Sequence, residues 1–452
     1  MKHLRTYALI LSLVTMALNV NAQEANKTSF SLQEAIDYSL KHSPSQLNAD
    51  LDLKNAEYKK KETTGLGLPQ ISGSVDVKDY LSLPTSLIPG DFFGFPGTYQ
   101  KVQFGTKYNT TAGLSASQLI FSSDYIFALK ASKEFMNLSR ISVSRSKSDL
   151  VAQVSKAYYT VLVSRQRINL LEANITRLKK SLSDTKAFNQ QGLTEGIDVE
   201  RLEVQYNNLT TEKEKTLQLI GMAENVLKFQ MGYTVTDPIA LTDSLNVNTE
   251  SFQPMSTGKT DFSQRPDYQL AKAQQSLLDL DVKRWKWGYL PTLSAYGSYQ
   301  YNTQRNTFGF GNDKNDPTKQ WFKIALIGAT LNLNIFDGLQ RHYKIQQAKV
   351  SALKNMNNLR MVELLSDMET NSATINYNNA YASLLSQKRN IDLAQHVVEV
   401  AQKKYGSGVG NNLEVVMAEA ALLEAQTNYY GAVYDMLSAR IDYQKSTGAL
   451  AK

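Results

Sequence analysis

The stretch that decides the fold runs from the apolar Gln118-Leu119-Ile120-Phe121 into Ser123–Gln191, which holds neither glycine nor proline, and closes on Phe188-Asn-Gln-Gln-Gly192-Leu193. Glycine and proline are the residues that most readily end a helix, so their absence over so long a run predicts one continuous helix. At about 1.5 Å per residue it would measure roughly 100 Å, whereas a usual helix has about 11–12 residues. The pattern occurs twice. Asn334-Ile335-Phe336 is followed, after Gly338, by Leu339 to Tyr405, again without glycine or proline. Each run then meets a glycine-containing reversal and a returning helical segment. A chain that encodes this geometry twice is building something long.

Working outward, composition bounds the class. The 452 residues include 10 Pro and no Cys, with 42% hydrophobic and 20% charged residues, so the chain is neither disordered nor disulfide-stapled. The net charge of +7 is dispersed. Lys59-Lys60-Lys61 is too short for a nucleic-acid patch and reads as a solvated helix face. His3, His42, His342 and His396 lie far apart without a second ligand at metal spacing, so neither metal nor cofactor is expected. Without a thiol, a G-x-S-x-G, a P-loop or an H-E-x-x-H, no residues stand out to carry an enzyme's chemistry.

At the N-terminus, Lys2 and Arg5 precede an apolar stretch from Tyr7 to Leu18, and Val20-Asn21-Ala22 offers small residues for cleavage. This predicts a signal peptide over residues 1–22, with Gln23 opening the mature chain. About a dozen apolar residues is short of the roughly 20 that span a bilayer.

Four segments alternate with period two. Ile71, Gly73, Val75 and Val77 alternate with small polar residues, as do Ala112, Leu114 and Ala116. Later come Leu293 to Tyr301, and Ile327, Ala329, Leu331, Leu333 and Ile335. Such strands suit a wall with lipid on one side and water on the other, although a soluble sheet packed on one face gives the same pattern. Aromatics shift the balance. Trp285, Trp287 and Tyr289 are read at the start of one strand, and Trp321 with Phe322 opens the next, as in the aromatic girdles of membrane barrels. The segments 83–107 and 302–319, rich in Gly, Pro, Asn and Phe, read as long outer loops.

Four strands cannot close a membrane barrel, and an open edge in lipid leaves backbone groups unsatisfied. Copies must pool their strands. Two would give eight strands with a filled interior, whereas three give twelve and room for a pore. In the helices, Leu150, Val154, Ala157 and Val161, and Ile391, Ala394, Val397, Val398 and Ala401, form apolar stripes suited to packing on neighbouring helices.

The order helix, strand, strand, long helix, reversal, helix, occurring twice, resembles the TolC-like outer-membrane efflux proteins. So do Phe188-Asn-Gln-Gln-Gly192-Leu193-Thr-Glu-Gly-Ile-Asp198-Val199 and Tyr405-Gly-Ser-Gly408-Val409-Gly-Asn-Asn-Leu413-Glu414-Val415. Gly192 and Gly408, Val199 and Val415, and Gly232 and Gly448 each stand about 216 residues apart, and Leu290-Pro291 echoes Leu68-Pro69. The expected fold is mixed and mainly α. Long antiparallel helical hairpins would form an α-barrel, and four strands per chain would join a trimeric twelve-stranded transmembrane β-barrel. The domain expectation is a signal peptide over 1–22, a first repeat over 23–235, a linker over 236–262 and a second repeat over 263–452.

The resemblance implies a homotrimeric exit duct in outer-membrane lipid that extends into the periplasm. It would work with a periplasmic adaptor and an inner-membrane pump, without chemistry of its own. It also implies that Gly192, Leu193, Gly196, Gly408 and Val409 sit at adaptor-docking tips, although turn chemistry alone already accounts for Gly192, Gly196, Gly406 and Gly408. The family's closed-state link maps to Asp198 and Tyr405, and its acidic constriction to Glu414. The cation that reinforces closure falls on Gly410, and the next acidic level on Met417, so both are absent here. Asp198 and Glu414 also suit the first turn of a helix on electrostatic grounds alone. The competing reading of the whole chain is a secreted coiled-coil structural or adhesive protein.

Overall fold

The long runs are helices. The computed structural model describes residues 28–245, 252–256 and 261–451, so the expected signal peptide lies outside the described residues. Helices α1 (Leu32–His42) and α2 (Pro44–Gly65) come first, followed by α3 (Ser123–Gln190) and α4 (Gly196–Met231). Then come α5 (Pro266–Trp287), α6 (Gln340–Gly406) and α7 (Asn412–Ser446). Lengths match in order: 22 residues in both α2 and α5, 68 and 67 in α3 and α6, and 36 and 35 in α4 and α7. Both 22-residue helices open on proline, whose fixed φ and missing N–H suit the first helical position. The chain divides into two compact units.

The first unit comprises the chain up to Asp50, Ser142–Tyr268, and Val362 onward, and it is helical. α1 is started by a capping box: Ser31 Oγ accepts from Glu34 N–H, and Glu34 returns the bond to Ser31 N–H at 2.9 Å. The expected stripe of α3 is buried, with Val154, Tyr158 and Val161 fully enclosed against Phe30, Leu227 and Met231. On α6 the stripe holds in part. Val398 and Ala401 are buried, but Val397 stays 52% exposed. Part of the expected linker packs firmly. β6 (Ala240–Leu241) pairs in parallel with β1 (Ser29–Phe30), and Phe252 is buried against Tyr377 and Met436. The Tyr158 hydroxyl lies 3.0 Å from both Phe30 O and Asp243 Oδ2, and burial pushes its pKa well above the usual tyrosine range.

The second unit, Leu51–Ile141 with Gln269–Met361, holds an antiparallel sheet. Its strand order is β2 (Gln70–Asp79), β5 (Tyr108–Phe121), β7 (Thr292–Arg305) and β8 (Phe322–Asn332). Registers place Ile71, Ala116, Gly297 and Ile327 in one row, and Gly73, Leu114, Tyr299 and Ala325 in the next row on the same face. The opposite face carries Ser72, Ser115 and Ser298, with the Ser72 and Ser115 hydroxyls 2.8 Å apart. One face is therefore largely apolar and the other largely polar. Ile71, Val75, Leu114 and Ile327 remain more than half exposed to solvent within the single chain. β2 and β8 are the outer strands, and neither has a further partner among the described residues.

Two expectations need correction here. Strand β8 ends at Asn332, so Leu333 and Ile335 lie beyond it, and Ile335 is 91% exposed. The following joint uses consecutive left-handed residues, Gly338 and Leu339, to turn into α6. Segment 83–107 is also more than a loop. It folds β3 (Thr85–Pro89) onto β4 (Tyr99–Gln103) as a separate hairpin.

Candidate functional site

The helix reversals share one design. Gly192 and Gly408 have φ of 73° and 74°, the left-handed backbone that glycine adopts without penalty. Gly192 N–H reaches Asn189 O at 3.0 Å and Leu193 N–H reaches Phe188 O at 2.9 Å. Gly408 N–H to Tyr405 O and Val409 N–H to Lys404 O, both 3.0 Å, repeat the pattern. These paired bonds form a Schellman cap, which satisfies carbonyls that the helix end would leave open. Gly196 and Gly406 need another explanation. They lie within helix ends at ordinary φ, so the expected turn role falls on Gly192 and Gly408 alone.

The same cap sets the residues that follow. Asn411 caps α7 by accepting from Leu413 N–H at 3.0 Å, while Glu195 precedes α4 without a side-chain cap. Asp198 and Glu414 both fall at the third helical position, where the helix dipole favours a carboxylate. Leu193 and Val409 are 68% and 80% exposed at the reversals, open to solvent beside Gly192, Gly196 and Gly408.

Asp198 and Tyr405 do not meet within the chain. Asp198 pairs with Arg201 at 3.6 Å, and the Tyr405 hydroxyl is buried without a hydrogen-bond partner. Tyr405 lines a cleft of about 680 Å³ with Thr185, Phe188, Leu193, Gln402 and Asn412. Asn412 is 4% exposed, and its Nδ2 is also unpartnered. Leaving a buried donor unpaired costs about 1–3 kcal/mol, and these two unpartnered groups line the same cleft.

Glu414 has a partner that the sequence reading missed: Lys404 Nζ lies 3.2 Å from its carboxylate. Their ten-residue spacing crosses the reversal, and Gly408 was the signal that could have paired them. At Gly410 a Cβ would fall 2.9 Å from Tyr405 N and 3.0 Å from the Lys404 carbonyl carbon. Any side chain there, a cation included, requires the helix end to shift. Met417 is 65% exposed. Glu419, also missed, sits one helical turn beyond Val415. Burial raises its pKa, against a hydrogen bond donated by Gln402 at 3.1 Å and the charge of Arg177.

At the sheet, the aromatics take different places from those read in the sequence. Trp285 and Trp287 belong to the last turn of α5, and Tyr289 lies in the turn before β7. They end a helix because the breakers Gly288 and Pro291 come after them. Around them, the Arg284 guanidinium lies 4.6 Å and Lys344 Nζ 5.6 Å from the Trp285 ring, and Arg341 lies 4.9 Å from the Tyr289 ring. Trp321 does precede its strand, donating to Phe310 O at 3.2 Å. Register puts these two groups at opposite ends of the sheet: Thr292 faces Asn332, and Asn302 faces Phe322. No cluster among the described residues suits a metal, and no helix there is long and apolar enough to cross a membrane.

Residues 262–449 match the family model described as outer membrane efflux protein. Outer membrane protein TolC of Vibrio cholerae serotype O1 is 19% identical over 346 residues, covering 76% of this chain and 77% of that protein. Outer membrane protein TolC of Escherichia coli K12 is 20% identical over 347 residues, covering 75% and 70%. The solved structure of CusC, studied for its transmembrane channel formation, aligns with a TM-score of 0.75 at 15% identity over 92% of each chain. These relatives are described as outer-membrane proteins and a transmembrane channel. By sequence over about three quarters of its length and by fold over nearly all of it, this chain resembles the TolC-like outer membrane efflux proteins.

Proposed function

We propose that three copies of this chain form a passive exit duct through the outer membrane and into the periplasm, completed by a periplasmic adaptor and an inner-membrane pump. The observation that carries it is an open four-stranded sheet with two unpaired edges and one exposed apolar face, in a chain with helices of 68 and 67 residues. Backbone edges cannot remain open in lipid, so β8 of one copy pairs with β2 of the next until twelve strands close. The apolar face turns to lipid and the polar face to the lumen. Trp285, Trp287 and Tyr289 mark one headgroup level and Trp321 the other, with Arg284, Arg341 and Lys344 suited to lipid phosphates. The recurring element lengths and reversals support an internal duplication over 23–235 and 263–452, so that three chains supply six sectors. A secreted coiled-coil protein has no use for such a sheet.

In this reading the reversals form the periplasmic tips. Gly192, Leu193, Gly196, Gly408 and Val409 offer the adaptor an exposed surface, and Asp198, Tyr405 and Glu414 hold the resting channel closed. The unpartnered Tyr405 hydroxyl supports a bond completed only when the tips close in the assembly. Lys404 beside Glu414 takes the place of the cation that Gly410 cannot supply. The expected outcome is that Asp198→Ala and Tyr405→Phe each raise the resting conductance of the purified protein in planar bilayers. Unchanged conductance in both variants removes the gate assignment.

A further inference from the structure

The hairpin of β3 and β4 is a built element. Gly90 N–H bonds Thr98 O at 2.7 Å, Phe95 N–H bonds Gly90 O at 2.9 Å, and Phe104 N–H bonds Pro84 O at 3.3 Å. Gly90 is demanded there, since a Cβ would meet Thr98 Oγ1 at 2.3 Å and Phe95 O at 2.4 Å. Beside the exposed Asp91 and Lys101, this scaffold displays a group of aromatic rings. Phe92, Phe93, Phe95 and Tyr99 are 80%, 51%, 58% and 71% exposed. Ordered aromatic groups left in water forgo about 25 cal/mol per Å² of burial, and contiguous patches of this kind mark contact surfaces.

A second exposed patch lies on the sheet, on the wrong face for a lumen wall. In β8, Phe322, Ile324 and Leu326 share the polar face with Asn302, Gln300 and Ser298, and each is nearly half exposed. Both patches belong to one end of the sheet. The hairpin leaves β2 after Asp79, which faces Tyr108, which in turn faces Arg305, and Phe322 faces Asn302. Within one chain β2 and β8 are opposite edges, three strand spacings or about 14 Å apart. In the closed ring of the proposed trimer, β8 instead neighbours β2 of the next copy at about 4.8 Å.

Resting on that trimeric reading, we propose that the β3–β4 hairpin of each copy folds over the lumen side of its neighbour's β8, packing Phe92, Phe93 and Phe95 on Phe322, Ile324 and Leu326. The two apolar patches cover each other, and three hairpins together form an aromatic collar at the outer mouth. The occupant of the β8 patch is thus a second copy of this chain, and neither patch is covered without it.

The test replaces Phe93 with the photo-crosslinking residue p-benzoylphenylalanine in oligomers assembled from isotopically light and heavy chains, with mass spectrometry of the products. The expected products join position 93 of one chain to residues 322–326 of another, and Phe322→Ser with Ile324→Ser and Leu326→Ser abolishes them. Products confined to lipid or to the same chain, in a protein whose detergent mass is that of three chains, overturn the collar and leave the trimer standing. A single-chain mass overturns the trimer and the collar with it.

Discussion

At the residue scale, glycines that look alike do different work. Gly232 and Gly448 both adopt left-handed backbone, at φ of 70° and 77°, but each also lies against backbone: a Cβ would fall 2.4 Å from His42 O at the first and 2.8 Å from Gln264 O at the second. Gly192 has open space around it. A side chain at left-handed φ costs roughly 1–2 kcal/mol. Gly192→Ala is expected to lose about that much, and Gly232→Ala distinctly more because α1 must also move. Thermal or denaturant unfolding of the two variants checks the order, and equal losses would contradict it. The glycines at the reversals were legible because a long run without glycine or proline ends just before them. Gly196 and Gly406 misled because a glycine beside a turn looks the same in sequence whether it holds the turn or ends the helix. The link of Tyr405 to Asp198, expected from the resemblance, does not form within one chain, which leaves that hydroxyl without a partner.

At the element scale, alternation located all four sheet strands, and absence of breakers located both long helices. It failed where composition hid geometry. Pro84, Pro89, Gly90 and Gly94 make the hairpin segment read as loop, although proline is tolerated at a strand end and glycine closes its turn. β8 also starts earlier than its clean alternation, because Phe322, Ile324 and Leu326 stand on the polar face. The assignment of faces gives its own test. Leu114 lies on the apolar face and Ser115 on the polar one. Leu114→Arg is expected to cost about 2–4 kcal/mol near the bilayer midplane and to lower the amount of protein assembled in the outer membrane. Ser115→Arg should leave assembly near the parent level. Immunoblots of outer-membrane fractions decide it, and equal losses would contradict the faces.

At the scale of the whole molecule, the chain encloses a helical core but leaves its sheet unfinished and part of its helix surface uncovered, with Phe229, Leu353 and Leu364 exposed. The helical unit encloses Val154, Tyr158, Leu384, Leu422 and Met436, whereas β2 and β8 carry unpaired edges and Ile71, Val75 and Leu114 face solvent. The incomplete groups at the reversals, Tyr405 Oη and Asn412 Nδ2, belong to the same account. Each is explained if other copies supply what is missing. The most direct test is the mass of the protein extracted in mild detergent and freed of bound detergent, by native mass spectrometry. The account predicts a single species of three chains. A monodisperse monomer, with the same sheet and both edges intact, would contradict it.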